Sequence, residues 1–187
     1  MRIGLTRLAS ALMGLFLCAI GTLSYSQLTT LELALQCQTS AGTTHFRITL
    51  RNTGSTNTQV VLGVNVGNSV RYDADYFVLD VKRDANSAVE QFHPGHGQVA
   101  GPAWPWVVPL PMMSEFSFLQ PIGGFHSMSN GERLQIGGSA IDVRLHYVVP
   151  KGWLGTSEST LSVNNRNVFT SELTTDWLRV PDQCHAD

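Results

Sequence analysis

The stretch THFRITLRN, at residues 44–52, alternates apolar and polar side chains residue by residue. Phe46, Ile48 and Leu50 occupy the apolar positions of this alternation, and polar or basic residues such as His45 occupy the positions between them. Successive side chains of a β-strand point to opposite faces, so the pattern predicts a strand that is buried on one face only. The turn residues NTGSTN come directly after the apolar positions and predict that the chain reverses there.

Similar short segments recur along the rest of the chain, at residues 28–37, 58–67, 76–83, 115–122, 140–150 and 167–180. For residues 28–37 a helix is the alternative to a strand. Turn residues separate them, and no stretch of ten or more residues has the 3.6-residue period of an amphipathic helix. Gly63 interrupts one of the segments and predicts a β-bulge or a close packing contact. We therefore predict an all-β protein, folded as an antiparallel immunoglobulin-like β-sandwich.

The first 26 residues have the layout of a secretory signal peptide. Two arginines precede an apolar run over residues 8–23, and a Ser-Tyr-Ser step ending at residue 26 offers the small residues that a signal peptidase reads. The run is shorter than the roughly 20 residues of a membrane-spanning helix, although a membrane or lipid anchor is the alternative. We expect residues 27–187 to be a single exported domain, periplasmic or extracellular, without a membrane span.

Two cysteines, Cys37 and Cys184, remain in the predicted mature chain. An exported protein folds in an oxidising compartment, where an even pair of cysteines is usually bonded. The sequence therefore predicts a structural disulfide between the first strand and the C-terminal tail. The charged residues are scattered without a basic stripe, which argues against nucleic acid as a partner.

Three segments together resemble a known family: FRITLRNTGSTNTQVVLG, YDADYFVLDVKRD and VPLPMMSEFSF. Their order resembles that of secreted bacterial immunoglobulin-like domains, and over about residues 44–120 it is similar to the Bacillus-type intracellular proteinase inhibitor domain. The long segment at 121–140 and the C-terminal strands depart from that pattern. The resemblance implies an immunoglobulin-like fold and, as a possible function, protease inhibition.

Histidines offer the main candidates for metal ligands. His93 and His96 lie three residues apart in FHPGHGQ, and His126 or His146 could complete a site with them. The alternative is a solvated loop, because Pro and Gly surround the two histidines and no acidic residue or cysteine lies at ligand spacing.

Asp73 and Asp75 form a D-x-D pair that could bind calcium, but the chain continues directly into a strand instead of supplying further oxygen ligands. A turn in which Asp73 accepts local backbone hydrogen bonds is the alternative. No motif of a nucleophilic or zinc-dependent hydrolase is present. We therefore expect neither an enzyme nor a bound cofactor.

Aromatic and sulfur-containing side chains mark two candidate contact regions. In AGPAWPWVVPLP, at residues 100–111, the prolines predict an edge strand, and Trp104 and Trp106 are expected to face the same side. They either cap the core or form an exposed patch. Phe125 and Met128 lie in the irregular segment 123–138, where they either contact a partner or fold over one end of the sandwich.

These observations favour an exported, non-enzymatic binding module of the cell envelope. Its contacts would come from the loops around residues 93–106 and 123–138, and its partner would be a protein or a glycan. The alternatives are a metal-dependent enzyme that uses His93 and His96, and the protease inhibitor that the family resemblance implies.

Overall fold

The computed structural model describes residues 30–40, 42–66, 69–72, 76–95, 103–137, 139–149, 168–182 and 184–186. The predicted signal peptide lies outside these residues, as do His96, Asp73 and Asp75. Within the described ranges, no helix has the length and apolar character needed to cross a membrane.

Strands form nearly all of the regular structure in the described residues, which confirms the all-β prediction. They are β1 (Leu31–Ser40), β2 (Thr43–Asn52), β3 (Thr58–Val66), β4 (Ser69–Tyr72), β5 (Phe77–Lys82), β6 (Glu90–Pro94), β7 (Ala103–Leu110), β8 (Ser114–Pro121), β9 (Phe125–Ser127), β10 (Ile141–Tyr147), β11 (Leu173–Thr174), β12 (Leu178–Val180) and β13 (Cys184–Ala186). A short 3₁₀ helix, Ile122–Gly124, joins β8 to β9.

The strands form three sheets. A four-stranded sheet has the order β13-β1-β2-β8, and a three-stranded sheet has the order β4-β3-β7. A six-stranded sheet has the order β11-β10-β5-β6-β9, with β12 also paired to β10. The paired strands run antiparallel except β1 and β13, which are parallel. The architecture is thus antiparallel and sandwich-like, and its immunoglobulin-like character stays a prediction.

The alternation at residues 44–52 places one face of β2 in the core. Phe46, Ile48 and Leu50 are completely buried. On the opposite face of β2, the hydroxyl groups of Thr49 and Ser117 lie 2.7 Å apart and bridge to β8. Because the side-chain period is two, this register keeps every apolar residue of β2 on the inner face.

Aromatic contacts hold the sheets together around a shared core. Phe46 of the four-stranded sheet meets Phe125 of the six-stranded sheet edge to face, with ring centroids 5.9 Å apart. Phe77 and Phe118 make a second contact of this kind between the same two sheets, at 5.4 Å. Edge-to-face pairs contribute about 0.5–1.5 kcal/mol beyond the area that they bury.

A buried tyrosine connects the six-stranded sheet to the three-stranded sheet. The hydroxyl of Tyr147 donates to the carbonyl oxygen of Val61 at 2.9 Å and accepts from the N–H of the same residue at 3.1 Å. Burial raises the pKa of Tyr147 well above its ordinary value, although the hydrogen bond with Val61 acts in the opposite direction. The group therefore stays a neutral phenol.

Two strand predictions concern the three-stranded sheet, and both are confirmed. The register between β3 and β7 shifts between Val61 and Gly63, as expected for a bulge at the glycine. Among the described residues β7 pairs only with β3, so it lies at the edge of the described sheet, which suits its prolines because they cannot donate to a second neighbour.

Two other segments differ from their predicted form. The segment 123–138, which was predicted to be irregular, contains β9. The three residues of β9 alternate between buried and half-buried, but the surrounding Gly and Ser residues obscure this pattern in the sequence. The predicted last strand at 167–180 is divided into β11 and β12, both of which pair with β10. Residues 175–177 lie between these short strands. Thr175 still hydrogen-bonds to Leu145 of β10, and Trp177 lies over the sheet.

The predicted disulfide is present and joins the two ends of the fold. Cys37 of β1 and Cys184 of β13 are directly paired in the parallel ladder, and their sulfur atoms are bonded. The bond closes a loop with a sequence separation of 147 residues.

Candidate functional site

The four predicted contact residues have different surroundings. Trp106 is partly buried against the core, and its ring meets Phe116 edge to face at 6.5 Å. Trp104 lies in β7 opposite Asn65, and its side chain is outside the described part of the structure. Phe125 is completely buried, so it packs in the core rather than contacting a partner. Met128 is 54% exposed, in the turn that follows β9.

An open cleft of about 600 Å³ lies where the β1–β2 turn meets the ends of β6 and β8. It is lined by residues 42–44 and 120–124, by Gly95 and His126, and by Arg133, Leu134 and Ile136. We call it the end cleft. It draws on the two regions expected to make contacts, around residue 93 and at 123–138.

Backbone and side-chain packing fix the shape of the end cleft. The N–H of Gly95 donates to the carbonyl of Gly124 at 2.7 Å, which joins the end of β6 to the 3₁₀ helix. A Cβ atom on Gly95 would lie 2.5 Å from two atoms of the His126 ring, so the imidazole keeps this orientation only beside a glycine. A Cβ atom on Gly123 would meet nothing within 4 Å, because this position faces open space.

Three cation-forming side chains lie in one row beside the end cleft. His93 of β6 is directly opposite His126 of β9, and His126 is in turn opposite Arg133 in an isolated antiparallel bridge. Directly opposed residues of antiparallel strands carry their side chains on the same face, so the three are neighbours. The structure therefore brings together two of the four histidines considered as metal ligands.

The other described candidate histidine, His146, belongs to a separate network around Asp80. The carboxylate of Asp80 accepts hydrogen bonds from Arg144 at 2.7 Å, from His146 Nε2 at 2.7 Å and from Gln91 at 3.1 Å. These residues occupy neighbouring positions on β5, β6 and β10, on the face of the six-stranded sheet that points away from the core. Asp80 is nevertheless only 3% exposed.

Opposing effects determine the charge of Asp80. Burial raises its pKa, but the hydrogen bonds from Arg144, His146 and Gln91 and the attraction of His146 outweigh burial and leave the pKa below its ordinary value. The carboxylate therefore stays ionised near neutral pH. Because its charge is matched by these donors, the network fits a stabilising role on this sheet face.

Both ring nitrogens of His146 are already engaged. Nε2 contacts Asp80, and Nδ1 lies 3.0 Å from the hydroxyl of Thr174 and 3.3 Å from a carboxylate oxygen of Glu172. The imidazole is thus held between a carboxylate on one side and a hydroxyl on the other, which fixes its orientation on the sheet.

Trp177 covers the neighbouring part of the same sheet face. The Lys82 ammonium and the Arg144 guanidinium both lie 4.6 Å from the centroid of its ring. Such cation–π contacts contribute about 0.5–1 kcal/mol at exposed sites. Trp177 also lines a second groove, of about 570 Å³, between residues 175–178 and the strand β1.

The structure brings only some of the predicted metal ligands close to one another. Within the ranges that the structure describes, no three His, Cys, Asp or Glu side chains are grouped closely enough to hold a metal ion. His93 and His126 are adjacent, whereas His96 and the proposed calcium ligands Asp73 and Asp75 lie outside those ranges.

Two features of these sites were missed by sequence reasoning. Arg133 follows a Gly-Glu pair in a segment that looks irregular, and only the bridge to His126 places it at the cleft. Asp80 and His146 are 66 residues apart in the chain, and the alternation shows only that both point away from the core. Comparison with protein-family models, with curated protein sequences and with solved structures found no match.

Proposed function

We propose that this chain is an exported, non-enzymatic binding module of the cell envelope, with the end cleft as its recognition site. The observation that carries the proposal is the convergence of Gly95, the 3₁₀ helix and residues 133–136 on one cleft. A volume of about 600 Å³ is typical of small-molecule sites and also suits the tip of a protein or glycan partner.

Two further observations support export and a binding role. The N-terminal sequence predicts a signal peptide, and the Cys37–Cys184 bond suits an oxidising compartment. Among the described residues, the most elaborate polar network is the one around Asp80, where the ring nitrogens of His146 are both engaged. Because three donors match the charge of Asp80, we assign this network a stabilising function.

Site-specific photo-crosslinking in the producing cells tests the proposal. A benzophenone side chain at the exposed position Gln135, between two cleft residues, should crosslink a protein or glycan that mass spectrometry identifies. The same probe at Ser117, on the outer face of the four-stranded sheet, is the positional control. Equal crosslinking from both positions would argue against a recognition site in the cleft.

A pair of glycine substitutions makes the test specific to the cleft. Gly123→Phe places a ring in open space inside the cleft and should remove the crosslink. Gly137→Phe is the matched control, because a Cβ atom there also meets nothing within 4 Å and the residue does not line the cleft. Turnover of a substrate by the purified protein, abolished by one side-chain substitution, would overturn the non-enzymatic part of the proposal.

Metal binding is the second candidate function, because the β6–β9 ladder places His93 directly opposite His126. Two adjacent imidazoles can supply half of a tetrahedral zinc site, and His96 follows three residues after His93. Elemental analysis of protein purified without a histidine tag decides this point. Less than about a tenth of an equivalent of metal would remove this candidate, since structural and catalytic sites are occupied stoichiometrically.

A further inference from the structure

The described ionisable side chains that line the end cleft are all basic. His126 and Arg133 are the titratable residues that line it, and none of its described lining residues is acidic. No described carboxylate forms an ion pair with Arg133, and Glu132, the nearest acid in sequence, does not line the cleft. An anion in this cleft would therefore meet a guanidinium without displacing a competing carboxylate.

The orientation of His126 adds a fixed polar group to this site. Its Nδ1 lies 3.2 Å from the carbonyl oxygen of Gly131, and because a carbonyl only accepts, Nδ1 carries the hydrogen. Nε2 lies on the side of the ring that rests against Gly95, a cleft residue. The imidazole is thus held by a hydrogen bond on one side and by the glycine on the other.

Three aliphatic side chains belong to the rest of the cleft. Ile122 and Leu134 are buried beneath it, and Ile136 is half-buried beside them. Thr43, Thr44 and Gln120 add neutral polar groups to the lining. A ligand that fits this lining has a small aliphatic part for the half-buried Ile136, and one negative group for Arg133.

We propose that the end cleft binds a carboxylate attached to a small aliphatic body, with Arg133 as the partner of the carboxylate. This inference rests on the proposed function, because it names the ligand class of the same site. Two sources supply this chemistry, a free aliphatic carboxylic acid and the C-terminal residue of a peptide. Both present one planar anion next to a branched apolar group, and a guanidinium can bind a carboxylate through two parallel hydrogen bonds.

Binding of N-acetyl-leucine and N-acetyl-leucinamide to the full mature chain tests the proposal. The two compounds differ only in the charged group, and NMR titration measures their binding. We expect saturable shifts with the acid at millimolar concentration, and binding of the amide that is at least about tenfold weaker. Equal binding of the two compounds, or no saturable binding of the acid, would overturn the proposal.

Variants assign the binding to the cleft. Arg133→Gln should weaken binding of the acid about tenfold and leave binding of the amide unchanged. Arg83→Gln, directly after β5 and paired with Glu90 at the start of β6, is the control away from the cleft and should change neither. Gly123→Phe should abolish binding of the acid, whereas Gly137→Phe should not. Arg133 is exposed, so its variant keeps the test valid if Gly123→Phe fails to fold.

A third comparison separates the two sources of the carboxylate. A capped tripeptide ending in leucine with a free carboxylate is compared with N-acetyl-leucine, and with its own carboxamide. Tighter binding of the tripeptide identifies a peptide C-terminus, and equal or weaker binding identifies a free acid. If neither acid binds but Gly123→Phe still removes the cellular crosslink, the carboxylate proposal fails and the proposed function stands.

Discussion

Tyr147 joins two sheets through one hydroxyl group. Its oxygen is the acceptor for the N–H of Val61 and its hydrogen is donated to the carbonyl of the same residue. Tyr147→Phe leaves both backbone groups without this partner inside the core, so we expect the free energy of unfolding to fall by about 1–3 kcal/mol. Urea denaturation of the purified mature chain measures this loss.

Ser117→Ala is the control for the loss of a hydroxyl group. Ser117 is exposed, and the 2.7 Å contact between its hydroxyl and that of Thr49 lies on the outer face of β2 and β8. Water can replace this contact, so we expect a change within about 0.5 kcal/mol. Equal losses for the two variants would mean that the buried position of Tyr147 is unimportant for stability.

Asp80 makes the stability of the fold depend on pH in the acid range. Its pKa in the folded state lies below the ordinary value of 3.8, so at pH values between the two the unfolded chain binds a proton that the folded chain does not. The stabilising contribution of the carboxylate is therefore complete above the ordinary value and is lost as the pH falls through the folded-state pKa. We expect the melting temperature to fall below about pH 4 for this reason.

Asp80→Asn separates this effect from general acid denaturation. The amide cannot ionise and pairs poorly with Arg144 and His146, so at neutral pH the variant should be less stable by about 2 kcal/mol. It should also lose less stability than the original chain between about pH 5 and pH 3, as measured by thermal unfolding. The same pH slope in both proteins would contradict the role assigned to Asp80.

At the scale of elements, Asn52 holds two chain reversals together. Its side-chain nitrogen lies 2.8, 3.0 and 3.1 Å from the carbonyl oxygens of Thr56, Leu110 and Pro111, which share its two hydrogens, and its oxygen accepts from the N–H of Gly54. Asn52→Asp replaces the donor by a second acceptor, directed at three carbonyl oxygens, and adds a negative charge. We expect a loss of about 2–4 kcal/mol in the free energy of unfolding, measured by urea denaturation.

Asn57 provides a control with the same chemical change in the same turn. Its side-chain oxygen accepts from the N–H of Met112 at 3.0 Å, and an aspartate keeps such an acceptor. Asn57→Asp should therefore change the free energy of unfolding by less than about 0.5 kcal/mol. A large loss in this variant would show that added negative charge, rather than the lost donor, destabilises this part of the fold.

Local patterns predicted strands well where one face of the sheet is buried. The alternation in β2 and β10 identifies which residues face the core, because burial and polarity change together with a period of two. Short strands such as β9 and β11 contain too few residues to show a period. Their place in the sheet is decided by pairing with β6 and β10, which is a non-local property.

The end cleft was predictable only in part, because it also depends on the non-local pairing of strands. The regions around His93 and at 123–138, singled out by their composition, both contribute residues at or beside the cleft, but Arg133 was not singled out individually. Its position depends on a bridge to His126 and on the glycine that admits the imidazole. A sequence shows which residues can bind an anion, whereas their convergence depends on the pairing of separate strands.

At the scale of the whole molecule, the disulfide joins elements that lie at opposite ends of the described chain. β13 is only three residues long, and its described neighbour is β1, to which it is also bonded covalently. Closing a loop with a separation of 147 residues restricts the unfolded chain and, in the chain-entropy model, stabilises the fold by about 4–5 kcal/mol. Because the closed loop spans most of the domain, the bond contributes to the stability of the entire domain.

Replacement of both cysteines tests this contribution directly. Cys37→Ser with Cys184→Ser should lower the melting temperature by about 10 °C or more, because 1 kcal/mol corresponds to about 2–4 °C for a domain of this size. A reducing agent should destabilise the original chain by a similar amount and leave the double variant unchanged, which controls for any cost of burying serine at position 37. Since the bond acts on the unfolded chain, binding of N-acetyl-leucine to the folded double variant should stay the same at low temperature. A small shift in melting temperature would mean that the sheets hold the C-terminal strand in place without the covalent bond.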